Sequence, residues 1–152
     1  FAQHKIEKKY IAIVRGFCEN EGVIDTPIKN NDTGVYKDAL TTYKALLTYE
    51  WDMPVNPYDK SRYSLIELTP KTGRMHQLRK HLNKINHPII GDHKYGDRNY
   101  NKTFTHEFGF DKLLLHAKQL KFTHPFTHQE IEVNASIPDN WKVVLKTFNW
   151  KI

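Results

Sequence analysis

A polar loop runs directly into an amphipathic helix in the stretch Thr69-Pro70-Lys71-Thr72-Gly73-Arg74-Met75-His76-Gln77-Leu78-Arg79-Lys80-His81. Apolar residues recur from here at the three- and four-residue spacing of one buried helix face, namely Met75, Leu78, Leu82 and Ile85. The opposite face is basic and carries His76, Lys80 and Lys84. We therefore predict a surface helix with a basic outer face, ended near Asn86 by His87-Pro88.

Arg79 lies on the flank of the buried face of this helix. A buried guanidinium is costly unless a carboxylate and good hydrogen bonds satisfy it. Most such arginines belong to structural ion pairs, and an active-site arginine is the alternative. The residues alone leave both explanations open.

Strands predominate elsewhere in the chain. Residues 10–14 alternate, with Tyr10, Ala12 and Val14 on one face and Ile11 and Ile13 on the other. Further strands are predicted over 41–49, 62–69, 113–122 and 130–134, the last two forming a hairpin through 123–129, and a short amphipathic helix follows Pro138. We predict the α+β class, with a mixed, largely antiparallel sheet and a few helices.

Composition bounds the class of protein. The chain has 152 residues, of which 39% are hydrophobic, enough for one packed domain. The 23 Lys and Arg residues outnumber 17 Asp and Glu, and the net charge of +6 favours an anionic partner such as nucleic acid, although basic surfaces also serve solubility. The single cysteine, Cys18, excludes an intramolecular disulfide and fits a reducing cytoplasm. No apolar run is long enough to span a membrane.

The nine histidines do not form a metal-binding pattern. His76 and His81 are five residues apart, which places them about 140° apart around a helix. His116, His124 and His128 show no His-Glu-x-x-His or paired-cysteine spacing. The glycines are isolated and form no phosphate-binding loop. We expect no metal and no nucleotide cofactor.

Several segments together resemble the RluA-type pseudouridine synthases. Gly73-Arg-Met-His-Gln-Leu-Arg-Lys-His81 is similar to that family's third motif, and Lys8-Lys-Tyr-Ile-Ala-Ile-Val-Arg-Gly16 to its second. Further matching segments follow the family's order: Gly22-Val-Ile-Asp25, His87-Pro-Ile-Ile-Gly-Asp92, Tyr95-Gly-Asp97, Leu113-Leu-Leu-His116 and Phe122-Thr-His-Pro125. They cover almost the whole chain, and their combination is far more specific than any one of them.

The resemblance implies an enzyme that isomerises uridine in RNA by breaking the C1′–N1 bond and rebuilding it to carbon 5 of the same base. In fine detail the chain is most similar to the member that acts on uridine-65 of tRNA. By resemblance the catalytic set is Arg79, Tyr10 against the base, and Leu78 as the apolar neighbour of the arginine. Cofactors and metals are not implied, and we expect a monomer whose partner is tRNA.

The same resemblance assigns RNA contacts to the basic helix and the loop before it. Reaching a uridine in folded RNA requires the base to be flipped out while positive groups hold the backbone. We predict that the RNA-binding residues are Arg74, His76, Gln77, Lys80 and Lys84.

One departure from the family matters as much as the match. The family's nucleophile is an aspartate in a His-Arg-Leu-Asp segment followed by Thr-Ser-Gly, upstream of the motif that begins here at Lys8, and this sequence lacks that segment. Asp25, Asp92 and Asp97 lie in other family segments. We expect residues 1–152 to be the C-terminal part of a pseudouridine synthase catalytic domain and to be inactive alone.

Two alternatives remain: a non-catalytic RNA-binding remnant of the same fold, and an inert soluble fragment. The coding sequence upstream of Phe1 would separate them from a partial catalytic domain.

If the nucleophile is missing, Arg79 should be satisfied by water, by an anion or by a local acid such as Glu67. Arg79→Met should then be neutral or stabilising, because Met keeps the packing and removes the unpaired charge.

Overall fold

The computed structural model describes residues 6–109 and 111–152. This part of the chain forms a six-stranded sheet in the order β2-β5-β6-β1-β7-β8 and a small two-stranded sheet of β3 and β4, all paired antiparallel. The strands are β1 (Ile6–Arg15), β2 (Glu21–Asp25), β3 (Ile28–Lys29), β4 (Tyr36–Lys37), β5 (Leu40–Trp51), β6 (Ser61–Pro70), β7 (Leu115–Thr123) and β8 (Glu130–Asn134). The helices are α1 (Gln77–Lys84), α2 (Arg98–Phe108) and α3 (Asp139–Thr147). The predicted α+β class with a largely antiparallel sheet is confirmed.

The central strand β1 is buried on both faces, as its alternation predicts. Ile11 and Ile13 pack into a core with α2 and α3, whereas Ala12 and Val14 pack into a second core with α1. Within the described residues the sheet therefore separates two apolar layers, and Tyr10 lies at the margin of the second one. The predicted division of β1 into two faces is confirmed.

Helix α1 is shorter than predicted at its N-terminus. It begins at Gln77, and His76 before it has the left-handed backbone conformation, with φ 54° and ψ 27°. Met75 precedes the helix and is 47% exposed, so its assignment to the buried face is wrong. Leu78 and Leu82 form that face as predicted. The helix ends at Lys84, close to the predicted end at Asn86, which itself has φ 65°.

Helix α2 is not among the elements predicted from the sequence. Asp97 caps its N-terminus by accepting hydrogen bonds from the backbone N–H groups of Asn99 and Tyr100. Gly109 ends it with φ 73°, a conformation that glycine adopts without steric cost. Tyr100 and Phe104 are four residues apart and pack into the core of α2 and α3.

Helix α3 confirms the predicted amphipathic helix after Pro138. Trp141, Val144 and Leu145 are buried on one face. Phe148 follows the helix and stacks on Tyr49 and Tyr63, with ring centroids 4.7 and 4.8 Å away. No helix in the described ranges has the length and apolar character needed to cross a bilayer.

Candidate active site

One cavity of about 300 Å³ brings together the three residues assigned to catalysis. Tyr10 reaches it from β1, and Leu78 and Arg79 reach it from α1. Three of the predicted RNA-binding residues, Arg74, His76 and Gln77, line it as well. Lys8, Pro70, Thr72, Gly73 and Leu115 complete the described wall. None of these lining residues is an aspartate or a glutamate.

A larger open cleft of about 1100 Å³ lies elsewhere, between the loop after β5, the segment that begins at Asp92, and α2. Its lining residues include His93, Arg98 and Lys102, but neither Tyr10 nor Arg79. The smaller cavity is the candidate active site, because the predicted chemistry requires an aromatic surface and an arginine in one place.

Arg79 is held by a two-pronged ion pair with Asp92. Its Nε donates to Asp92 Oδ2 at 2.9 Å and its Nη2 donates to Asp92 Oδ1 at 2.8 Å. The pair raises the pKa of Arg79, with burial opposing it. The guanidinium carbon also lies 5.0 Å from the ring centroid of Tyr95. Nη1 binds no group in the described part of the chain, and the Arg79 side chain is 21% exposed.

This ion pair corrects the expectation about Arg79 in one respect. A local acid does satisfy the arginine, but it is Asp92, and Glu67 instead binds Lys118 at 3.0 Å. Asp92 is only 1% exposed, so removing the arginine would leave a buried carboxylate. The expectation that Arg79→Met is neutral therefore loses its basis.

The surroundings of Asp92 fix it from several sides. Its Oδ1 also accepts the backbone N–H groups of Lys94 and Tyr95, at 3.1 and 2.9 Å. The Asn101 side chain accepts from the Gly91 N–H and donates to the Asp92 carbonyl. Burial raises the pKa of Asp92, but Arg79 and the two backbone donors outweigh burial, and the net pKa is lowered.

Gly91 explains the Gly-Asp sequence at this point. Its φ is 85°, and a Cβ placed on it would lie 1.9 Å from the backbone oxygen of Lys112. Any side chain at position 91 would displace the segment that carries Asp92. The glycine thus allows the close backbone approach that positions the partner of Arg79.

Tyr10 and Leu78 provide the apolar surface of the cavity. Tyr10 is partly buried and packs against the cluster that contains Leu68 and Leu78, which are 0% and 7% exposed. The pairing of β1 with β7 shifts register between Lys9 and Tyr10, and such bulges re-aim side chains beside functional sites. The Tyr10 hydroxyl makes no hydrogen bond to any described residue.

Gln77 has a structural role that the RNA-contact prediction did not anticipate. It is buried, and its Oε1 accepts from Thr72 Oγ1 at 2.6 Å and from the Arg74 N–H at 3.1 Å. Its Nε2 donates to the Leu40 carbonyl at 3.0 Å and to Thr41 Oγ1 at 2.9 Å. These four bonds use its capacity and fasten the loop before α1 to β5.

The cationic residues that were predicted to bind RNA make different contacts in the structure. Arg74 donates from Nε to the Asp38 carbonyl at 2.8 Å. Lys80 donates from Nζ to the Lys29 carbonyl at 2.8 Å and to Asn31 Oδ1 at 3.2 Å. Lys84 is exposed and, within the described residues, its ammonium has no partner. Lys84 is thus the freest of the predicted cations.

His81 is a core histidine. Its Nδ1 and Nε2 lie 2.8 Å from Thr41 Oγ1 and the Thr26 carbonyl, so the ring donates from Nε2 and accepts at Nδ1. Burial lowers the pKa of His81, and the hydrogen bond to Thr26 opposes this. Across the two described ranges, no three His, Cys, Asp or Glu side chains group as metal ligands would.

Sequence reasoning missed Asp92, Tyr95 and Asn31 as parts of this site. Asp92 and Tyr95 lie inside family-like segments, but no local spacing relates them to Arg79, because the contacts form only when the loop after α1 folds back. Asn31 lies in the turn between β3 and β4, two strands that the sequence analysis did not predict. A carboxylate in a Gly-Asp turn was the one available signal.

The chain is similar in sequence to known proteins. The chain is 43% identical over 160 residues to tRNA pseudouridine synthase C of Vibrio parahaemolyticus serotype O3:K6, covering 99% of this chain and 65% of that protein. It is 43% identical over 161 residues to the Salmonella typhi protein of the same name, covering 99% and 62%. The chain thus spans less than two thirds of the length of these relatives.

Solved structures show the same fold. Human RNA Pseudouridylate Synthase Domain Containing 4 superposes with a TM-score of 0.72 at 26% identity, covering 97% of this chain and 64% of that one. Human RNA Pseudouridylate Synthase Domain Containing 1 gives 0.70 at 26% identity, covering 90% and 56%. The family profile described as RNA pseudouridylate synthase matches residues 1–84, more than half of the sequence. The chain therefore belongs to the RNA pseudouridylate synthase family.

Proposed function

We propose that this chain is the C-terminal part of the catalytic domain of a tRNA pseudouridine synthase that converts uridine to pseudouridine, at uridine-65. The observation that carries the proposal is the single cavity shared by Tyr10, Leu78 and Arg79. The relatives named tRNA pseudouridine synthase C support tRNA as the substrate. We further propose that the protein acts as a monomer in the cytoplasm.

The cavity residues suit the steps of this isomerisation. The Tyr10 ring offers a flat surface against which a detached uracil can turn, and Leu78 beside it excludes water. The free Nη1 of Arg79 can bind and keep ionised a carboxylate placed near the sugar. No acid lines the described wall, and both oxygens of Asp92 are engaged. We therefore propose that the nucleophile comes from outside these residues.

Release of the hydrogen on carbon 5 provides the test, because this hydrogen leaves when carbon 5 bonds to C1′. tRNA carrying tritium at carbon 5 of its uridines should release no tritium to water when incubated with the 152-residue chain. The product of the same reading frame, extended upstream to include an Arg-Leu-Asp segment, should release it. Turnover by the 152-residue chain would show that one of its own aspartates acts as nucleophile, with Asp92 and Asp97 the first to replace.

The non-catalytic alternative is favoured by one observation, the absence of a carboxylate from the described cavity wall. It makes a distinct prediction in the same assay. If the extended reading frame binds tRNA and releases no tritium, the chain is an RNA-binding remnant, and the catalytic proposal is wrong.

A further inference from the structure

His76 has an unusual position for a residue that precedes a helix. Its backbone is left-handed, with φ 54°, and its side chain does not cap α1. Instead, its Nδ1 lies 3.0 Å from the hydroxyl of Tyr95. Left-handed residues other than glycine are uncommon and cluster at functional sites. The imidazole is therefore free of a capping role at the start of α1 and is held by Tyr95.

The hydrogen bonds around Tyr95 have a defined direction. The ammonium of Lys80 can only donate, so the Asn31 oxygen, 3.2 Å away, must face it. The Asn31 amide nitrogen then donates to the Tyr95 hydroxyl at 3.1 Å. The Tyr95 hydroxyl has one hydrogen, and His76 Nδ1 is the acceptor that it meets in the described part of the chain. With the Asn31 amide as donor to the Tyr95 oxygen, we assign the Tyr95 hydrogen to the bond with His76, which makes Nδ1 an acceptor and puts the imidazole proton on Nε2.

Burial and the cations nearby favour the neutral form of His76. Burial lowers the pKa of His76, and so do the cations of Arg79, Lys94 and Lys80, while Asp92 opposes them. The same three cations lie 5.0 to 5.8 Å from the Tyr95 ring. The lowered pKa favours the neutral imidazole at neutral pH, which can serve as a directed hydrogen-bond donor.

His76 Nε2–H has no partner among the described residues, and His76 lines the cavity shared with Tyr10 and Arg79. We propose that this N–H donates a hydrogen bond to O4 of the target uracil, with Lys80, Asn31 and Tyr95 as positioning residues. Uracil presents an acceptor at this position, whereas cytosine presents an amino donor. The proposal rests on the proposed function and adds a basis for choosing uridine over cytidine.

The replacement Asn31→Asp tests the relay directly. A carboxylate accepts from Lys80 but cannot donate to Tyr95, so the Tyr95 hydroxyl should turn and donate to the introduced carboxylate. Its free oxygen lone pair would then accept from His76, and the neutral imidazole should carry its proton on Nδ1. Long-range ¹H–¹⁵N correlation spectra of the ¹⁵N-labelled chain, recorded above the histidine pKa, distinguish the two tautomers. Asn83→Asp, an exposed change of the same charge on α1, is the matched control and should leave the Nε2–H form.

Binding of uridine and cytidine 5′-monophosphates tests base reading in the same spectra. In the wild type, the uridine nucleotide should shift the His76 Nε2 resonance at lower concentration than the cytidine nucleotide, and Asn31→Asp should reverse this order. An unchanged tautomer in Asn31→Asp would overturn the relay. Equal shifts by both nucleotides, as a phosphate contact would give, or no shift by either, would overturn base reading by His76.

Binding of unmodified tRNA to the wild-type chain separates these failures from failure of the proposed function. If tRNA binds while either nucleotide test fails, the His76 proposal is wrong and the proposed function stands. If tRNA does not bind, the proposed function loses its support, whatever the tautomer of His76.

Discussion

Replacing Arg79 with Met should destabilise the protein substantially. The change removes both guanidinium bonds from Asp92 and leaves a carboxylate that is 1% exposed with two backbone N–H donors. Removing one partner of a fully buried pair costs about 3–5 kcal/mol. Arg79 is 21% exposed and Asp92 keeps its backbone donors, so about 2–3 kcal/mol is the appropriate range. At roughly 2–4 °C per kcal/mol for a domain of this size, the melting temperature should fall by about 5–10 °C.

Thermal and urea unfolding of four variants would test this reasoning. Arg62→Met is the control, because Arg62 pairs with Glu50 at an exposed site and should cost less than about 1 kcal/mol. Adding Asp92→Asn to Arg79→Met should recover part of the lost stability, because the uncompensated charge is removed. Asp92→Asn alone completes the double-mutant cycle. Lowering the pH should also reduce the difference in stability between Arg79→Met and wild type. Burial raises the pKa of an unpaired Asp92, so in the variant this carboxylate is neutralised first. If Arg79→Met has the melting temperature of the wild type, the ion pair does not stabilise the buried Asp92 in solution.

Two further predictions concern the cations and histidines of α1. Lys84→Ala should make the plot of log tRNA affinity against log salt shallower by about 0.7–0.9, and Lys80→Ala should change it less, because Lys80 is engaged with Lys29 and Asn31. An equal change for both lysines would return Lys80 to the RNA interface. The lowered pKa of His81 means that the unfolded chain binds the proton more readily, so its contribution to stability is present above about pH 6.5 and is lost as the pH falls below it. His81→Gln should flatten the melting temperature between pH 7 and 5, measured by circular dichroism, and an undiminished slope would assign the acid sensitivity to another group.

The strands could be predicted because their signal is local. Alternation along β1 predicts which residues lie on each face, and the structure agrees there; the strands predicted over 41–49, 62–69, 113–122 and 130–134 correspond to β5 to β8. The start of α1 could not be predicted in this way, since Met75 continues the helical spacing but the left-handed backbone of His76 begins the helix later. The sequence marks the two ends of helix α2, with Asp97 as N-cap and Gly109 at the C-terminus. The residues between them are mostly polar and do not indicate a helix.

The residues of the candidate site also fall into those that could be predicted from the sequence and those that could not. Tyr10, Leu78 and Arg79 could be proposed because each lies in a segment whose pattern and resemblance are readable along the chain. Asp92 could not, since its relation to Arg79 spans 13 residues and depends on a turn that only Gly91 permits. Gln77 shows a different limit: it was predicted to contact RNA from its place next to a basic face, and nothing in that pattern indicates the four hydrogen bonds that it makes with the loop and β5. Periodicity reports which side of an element is buried, and not which polar group a neighbouring loop will require.

The ion pair with Asp92 leaves room for both a structural and a catalytic role of Arg79. A planar guanidinium has separate edges, and the edge formed by Nε and Nη2 is occupied by Asp92 while Nη1 remains unbound by any described group. An ammonium could not divide its contacts in this fixed way, because lysine presents a single flexible point charge. The side chain is therefore oriented before any substrate arrives, so that ordering it adds no cost during the reaction. Loss of stability on replacing Arg79 would show that the ion pair with Asp92 is structural, and the catalytic role proposed for Arg79 then depends on the unbound Nη1 alone.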